Sequence, residues 1–294
     1  MTTLPSAGPR ESAPLNRANA PPITMSAAFT ADAHHGAAFP DVILSSSDNV
    51  YFYVVHAVLA RASTNGFGGL LPIKSVSPLV LPLARVSDPA DVLNIILHAI
   101  HDMSPARFTP SPTTLIAALE RLPAYGLAIA QYATPPRPLY HAMLMQAPLA
   151  PLAVYTAAAR YALEDLAVAM SPHLLSLSLS SVTDEQAEAM GAVYLGRLFL
   201  LHKKRMDALR DVLAAEPSPH PETPDCSFVD QKAVARAWQL TSAYLTSKGR
   251  PDLHPLAIQS TVNSLAAKVT CKHCKEVLRR RLQKAVVEWM IILV

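Results

Sequence analysis

The sequence predicts an α+β fold: a short β-sheet with flanking helices at the front, followed by an all-helical domain. Two stretches carry that prediction. Pro40 to Ser63, PDVILSSSDNVYFYVVHAVLARAS, sets two β-type runs, a turn and a helical pattern in one short segment. From Leu139 onward apolar residues recur at three- and four-residue spacing, and no strand pattern returns. Composition supplies the cores, since 51% of the 294 residues are hydrophobic and only 16% charged. A chain of that length suits two domains.

Residues 1–38 are rich in Pro, Ala, Ser and Thr with few large apolar side chains. Such a segment buries too little surface to offset its ordering entropy, so it is expected to be a disordered arm, dispensable for folding. Residues 39–133 form the first domain. Val42, Ile43 and Leu44 make a strand, Ser47-Asp48-Asn49 a turn, and Tyr51 to Val55 a second strand. Alternation turns Val42, Leu44, Phe52 and Val54 to the core. His56 opens a helix on which Val58, Leu59 and Ala62 recur at helical spacing. Leu79 to Leu83 is a third strand candidate. Asp88 is placed to cap a helix beginning at Pro89 and carrying Val92, Ile95, Ile96, Ala99 and Ile100. A helix from Ser111-Pro112 is broken by Pro123 and resumes over Tyr125 to Tyr132.

Asp41, Val42, Phe52, Val54, His56, Leu59 and Ser63 sit where the start of a BTB/POZ domain places the same residue types, and this front resembles that family. The BTB-like front is followed by Tyr161-Ala162-Leu163-Glu164-Asp165-Leu166-Ala167, by Tyr194-Leu195-Gly196-Arg197-Leu198, by Leu201-His202-Lys203-Lys204-Arg205 and by a late Cys-x-x-Cys. That succession resembles the large BTB-containing families of mushroom-forming fungi. The resemblance implies a protein–protein interaction module, a dimerising adaptor or scaffold, and not an enzyme. It implies protein partners, a second copy included, and contacts through the first helix at Val58, Leu59, Arg61 and Ala62 and through Val86 to His101. Some members recruit a cullin scaffold through an aliphatic residue, a spacer and a Glu near the third strand; no Glu falls between Val80 and Asp88. His101 stands where the family has a tyrosine.

Residues 134–294 read as the helical C-terminal domain. Leu139 to Ala147 is a short helix and Leu152 to Leu175 a long one. Thr183 to Gln186 is a capping box opening a helix with Met190, Tyr194, Leu198, Leu201, Ala208 and Val212 on one stripe. Glu216 to Asp225 is a proline-rich loop. Phe228 to Ser247 is helical and stops at Gly249-Arg250-Pro251. Pro255 to Lys268 and Cys271 to Val294 complete the domain, the last with Leu278, Leu282, Val286 and Trp289 inward.

Cys271-Lys272-His273-Cys274 is the sharpest local motif, because two thiolates at this spacing can reach one tetrahedral zinc. Cys226, which follows the proline-rich loop, is the third candidate ligand. His202, His220, His254 and His273 are candidates for the fourth, and His202 is favoured because the loop carrying Cys226 leaves the helix on which it lies. The alternative is three packed thiols, or a redox pair. Lys203-Lys204-Arg205 and Arg279-Arg280-Arg281 are expected on solvated helix faces; read otherwise, they suit a nuclear regulator. A zinc-stabilised helical structural protein is the other competing class.

The chain has no Gly-x-Ser-x-Gly, phosphate-loop or His-Glu-x-x-His pattern, so no catalytic set or cofactor other than zinc is expected. A net charge of +3 does not suggest nucleic acid as the partner. Three cysteines, an odd number, suit a reducing compartment. No apolar run of spanning length and no signal-like start is visible, which predicts a cytoplasmic or nuclear protein without membrane partners.

Overall fold

The computed structural model describes residues 24–33, 38–73 and 80–292. The chain divides into two compact units, Met1–His101 with Arg121–Leu127, and Asp102–Glu120 with Ala128–Val294. Residues 102–120, expected in the first domain, therefore group with the helical rear. Two ion pairs contribute to this: Arg137 with Asp102 at 3.2 Å and Arg160 with Glu120 at 2.8 Å.

The first unit is built on a four-stranded sheet of β1 (Thr24–Met25), β2 (Val42–Ser45), β3 (Val50–Val54) and β4 (Leu83–Arg85), in the order β1-β3-β2-β4. β2 and β3 form an antiparallel hairpin with Leu44 opposite Phe52. β1 joins β3 and β4 joins β2, both in parallel. Val42, Leu44, Phe52 and Val54 are all buried, as alternation requires. The turn is closed by Ser46, whose Oγ donates to Asp48 at 2.6 Å and accepts from the Val50 amide at 2.9 Å. Asn49 takes the left-handed conformation there (φ 62°), which its short polar side chain tolerates. Truncating Phe52 to Ala is expected to cost about 3–5 kcal/mol, since its ring cannot be replaced in a closed core. Urea unfolding checks this, and an unchanged midpoint would mean that the ring is not in the core.

The expected disordered arm is corrected for the described part of it. Residues 24–33 are laid along the sheet: the Ser26 amide donates to Tyr51 O at 2.8 Å and the Tyr53 amide to Phe29 O at 3.0 Å. Phe29 is wholly buried, 6.1 Å from the Phe52 ring and edge-on to His98 at 5.3 Å. Residues 1–23 and 34–37 of that arm lie outside the described residues.

α1 (His56–Ala62) starts directly from β3, with its first amide bonded to Asp41 Oδ1 at 2.6 Å. Leu59 is buried while Arg61 is exposed and Val58 and Ala62 are half-buried, so Leu59 is committed to the core rather than to a partner. The turn α2 (Gly66–Gly69) runs through four positive φ angles, the third residue being Gly68 at 70°. Phe67 shares this conformation (φ 54°), and its buried ring stacks on Tyr125 at 4.4 Å.

Of the expected third strand Leu79–Leu83, Leu79 lies outside the described residues; the strand observed is Leu83–Arg85, preceded by Pro82, which offers only its carbonyl, accepting from the Ile43 amide at 2.9 Å. α3 (Ala90–Ile100) starts one residue after Pro89, and its first amide is capped by Asp48 of the hairpin turn at 2.9 Å. Asp88, expected in that role, instead accepts from the Tyr125 hydroxyl and pairs with Arg121 at 2.7 Å. Val92 through Ala99 are all buried, so most of the expected contact region Val86–His101 is interior.

The second unit is helical. It comprises α4 (Pro112–Arg121), α5 (Ile129–Tyr132), α6 (Pro138–Leu144), α7 (Pro151–Arg160), α8 (Glu164–Met170), α9 (Asp184–Ala214), α10 (Phe228–Lys248), α11 (Pro255–Ala266) and α12 (Lys272–Ile291). The long helix expected over 152–175 is broken after Arg160. Ala162 is left-handed (φ 52°), and the Leu163 amide reaches back to Ala158 O at 2.8 Å in a Schellman stop without glycine. The capping box is present, with Thr183 Oγ1 accepting from the Gln186 amide and Gln186 Oε1 from the Thr183 amide. α9 is interrupted at Gly191, where φ 70° and ψ 166° leave the helical region.

The distal half of α9 packs with α10, α11 and α12 around Leu209, Leu213, Trp238, Ile258, Leu278 and Trp289. Both tryptophans also place their indole N–H: Trp238 on Leu213 O at 3.1 Å and Trp289 on Leu253 O at 2.7 Å. Two cations expected in solvent turn inward. Arg281 is buried and donates to the terminal carbonyls of α9 at Val212 and Ala215, the latter at 2.7 Å. Arg205 lies 3.7 Å over the Trp289 ring and donates to Ile292 O at 2.7 Å. No helix among the described residues is long and apolar enough to cross a membrane.

Candidate metal centre

Three parts of the second unit converge on one point: the loop after α9, the start of α10 and the start of α12. The loop residues Thr223 and Cys226 bond each other's backbone in both directions at 3.1 and 3.0 Å, which folds Pro224-Asp225 into a tight turn. Cys226 immediately precedes Ser227, the N-cap of α10. Ser227 and Asp230 form a reciprocal capping box, and the Phe228 amide bonds Glu222 Oε1 at 2.6 Å, so the loop is anchored on both sides of Cys226. Cys271 is the N-cap of α12 and Cys274 lies in its first turn.

These placements bring His220 and the sulfurs of Cys226, Cys271 and Cys274 together, with all four donor atoms within 4.8 Å of one another. The Cys226 and Cys274 sulfurs are 3.6 Å apart. His220 Nε2 lies 3.3 Å from Cys274 Sγ and 3.5 Å from Cys271 Sγ. The other ring nitrogen, Nδ1, is 2.6 Å from Pro221 O. A carbonyl only accepts, so Nδ1 carries the proton and the Nε2 lone pair faces the sulfurs. A backbone carbonyl on the non-ligating nitrogen is the usual support of a metal-bound histidine. The four residues could hold a metal ion.

The cysteines are electrostatically unequal. The Cys271 thiol is drawn down to about 7, chiefly by the Cys274 backbone amide aimed at its sulfur. Burial pushes Cys274 up to about 12, helped by the neighbouring thiols. Burial also raises Cys226. A cation held among the sulfurs would favour the thiolate form of all three.

Of the predicted ligands, Cys226, Cys271 and Cys274 meet, and His202 does not join them. His202 is buried on α9 with Nε2 on Leu174 O at 2.9 Å, a hydrogen bond that occupies it elsewhere. His220 takes its place. The sequence held a signal for this choice: His220 and Cys226 belong to one proline-rich loop, HPETPDC, whereas a helical histidine is fixed by its own helix. His273 lies within Cys-x-x-Cys but is exposed, 5.3 Å from the His220 ring. Comparison with protein-family models, curated proteins and solved structures gives no match, so the reading of this centre rests on its own geometry.

Proposed function

We propose that this chain is a non-catalytic interaction protein: a BTB/POZ-type front followed by a helical unit closed by one structural zinc. The four-donor cluster carries the reading. A tetrahedral zinc with bonds of about 2.3 Å to sulfur and about 2.0–2.1 Å to nitrogen sets neighbouring donors roughly 3.5–3.8 Å apart. The separations of 3.3, 3.5 and 3.6 Å lie close to those edges and suit a single ion. Three sulfurs and one nitrogen complete the coordination, which is the pattern of structural rather than catalytic zinc. Such an ion ties the proline-rich loop to the first turn of α12.

The interaction half is supported by the hairpin that runs straight into α1, and by a sheet whose outer strand β1 has both residues exposed. An exposed edge strand can accept a strand from a protein partner, a second copy included. The partner surface includes Arg61, with Val58 and Ala62 beside it. Recruitment of a cullin is not part of the proposal, because the Glu that accompanies it in cullin-binding relatives is missing. The nuclear-regulator alternative is weakened by Arg205 and Arg281, whose charges are used inside the fold.

Protein purified without added metal is expected to carry about one zinc per chain, as a four-ligand site requires. Elemental analysis of the purified protein measures this directly. Absence of zinc together with three freely titrating thiols in the native state would remove the metal from the proposal. Light scattering across a concentration series, repeated with Arg61→Glu, tests the second-copy contact, and a chain monomeric at every concentration would exclude it.

A further inference from the structure

The geometry points to an oxidation-driven release of the metal, in which a peroxide converts Cys271 and Cys274 into a disulfide and the loop bearing His220 and Cys226 is set free from α12. The inference rests on the zinc reading above and concerns how that site is switched. Cys271 and Cys274 stand three residues apart at the start of one helix, the N-terminal member at the N-cap and partly exposed, the other buried. This is the arrangement of a dithiol that opens and closes: one sulfur is reachable, and the other waits behind it. A cleft lined by Asp225, Asp230 and Lys268 also borders all three cysteines, so a small oxidant has a route to the sulfurs. Cys226 and His220 come from the separate loop and meet α12 at Cys271 and Cys274, where the shared ion would join them.

The chemistry balances with a hydroperoxide as the oxidant. The Cys271 thiolate attacks the terminal oxygen of the peroxide. An S–O bond forms, the O–O bond breaks, and the alkoxide leaves to take a proton from water. The Cys274 thiolate then attacks the Cys271 sulfur. The S–S bond forms, the S–O bond breaks, and hydroxide leaves. Two thiolates have lost two electrons and one peroxide has gained them. The ion then keeps only Cys226 and His220, two ligands where four are needed, and dissociates. The proline-rich loop then loses its metal link to the first turn of α12, beside the exposed Phe228 and the pocket wall of Val234 and Val277. A thiol reductant reverses the disulfide, and the cluster can be refilled.

The test uses the full zinc-loaded chain, hydrogen peroxide as the probe and a chromogenic chelator to follow free zinc. About one zinc is expected to appear per peroxide consumed, and dithiothreitol with added zinc should restore the bound ion. Lys272 separates the two cysteines, so trypsin should yield Val269–Lys272 joined to His273–Lys275 by a disulfide, visible by mass spectrometry only in the oxidised sample. A protein that never contained zinc would defeat the site and the switch together. Zinc that stays bound through a large excess of peroxide would leave the structural site standing and overturn the switch. So would zinc loss accompanied by a disulfide to Cys226, because that bond keeps the loop tied to the helix.

Discussion

Replacing Cys274 by Ser is expected to reduce bound zinc from about one per chain to nearly none and to destabilise the helical unit by several kcal/mol. Cys274 sits at the centre of the cluster, with its sulfur 3.6 Å from Cys226 and 3.3 Å from His220. A hydroxyl in its place is a poor zinc ligand, and it strands two other thiols around an incomplete site. In small zinc domains the ion contributes an apparent ~10–16 kcal/mol, and removing it unfolds them. Here the loss should be smaller. Leu209, Trp238, Ile258, Leu278 and Trp289 form a core that does not depend on the ion, so α9 to α12 should keep their helices. The released parts should be the loop before α10 and the first turn of α12.

The histidines provide the internal control. His220→Ala should lose zinc with Cys274→Ser. His202→Ala should keep its zinc, yet lose about 1–3 kcal/mol through the unsatisfied Leu174 carbonyl. Zinc content and thermal melting of the three variants separate ligand from bystander. Full zinc in Cys274→Ser would exclude the site, and zinc lost from His202→Ala but kept in His220→Ala would reverse the assignment.

What could be seen in the sequence was local. The hairpin, the Thr183 capping box and the inward stripe of α12 each depend on residues a few positions apart, and each is present. What could not be seen depended on partners far away. Asp48 caps a helix 42 residues on, and Asp88, the nearer candidate, is taken by Tyr125 and Arg121. The stop after Arg160 uses an alanine in the left-handed region, where sequence reasoning looks for glycine. Arg281 looks like one of three surface arginines, and only the packing of α12 under the end of α9 shows why it alone is buried.

The metal site divides in the same way. Cys-x-x-Cys is a local signal and pointed to the centre; His220 shares a loop with Cys226, but that its Nε2 faces the sulfurs while the Nε2 of His202 is held by Leu174 O depends on the tertiary fold. The N-terminal segment was hidden by its composition. Residues 24–33 contain one aromatic, Phe29, in a run of mostly small and polar residues; only Thr24–Met25 form a strand, and they do so where the edge of β3 supplies the bonding partners.

A chain beginning at residue 39 is therefore expected to be less stable, by several kcal/mol, than one beginning at residue 24. The shorter chain loses Phe29, which is 0% exposed, along with the pairing of the Ser26 amide to Tyr51 and of the Tyr53 amide to the Phe29 carbonyl. The hydrogen bonds matter little to the difference, because water can replace them at an opened sheet edge. The ring decides it. Phe29 fills the space between Phe52 and His98, and Ser26 holds the backbone in the bend that delivers it, accepting at Oγ from the Ala28 and Phe29 amides at 3.2 Å each. Deleting the segment exposes the Phe52 and His98 faces, and the paired β2 and β3 cannot close over the gap. Deletion also removes the entropy cost of ordering the segment, which offsets part of the loss, so the point variant is the sharper measurement. Phe29→Ala in the full chain keeps the backbone and should cost about 3–5 kcal/mol, the range for a buried phenylalanine. Equal unfolding midpoints for the two truncated chains, with Phe29→Ala costing less than about 1 kcal/mol, would mean that the segment rests on the sheet without supporting it, because an aromatic removed from a closed core cannot be that cheap.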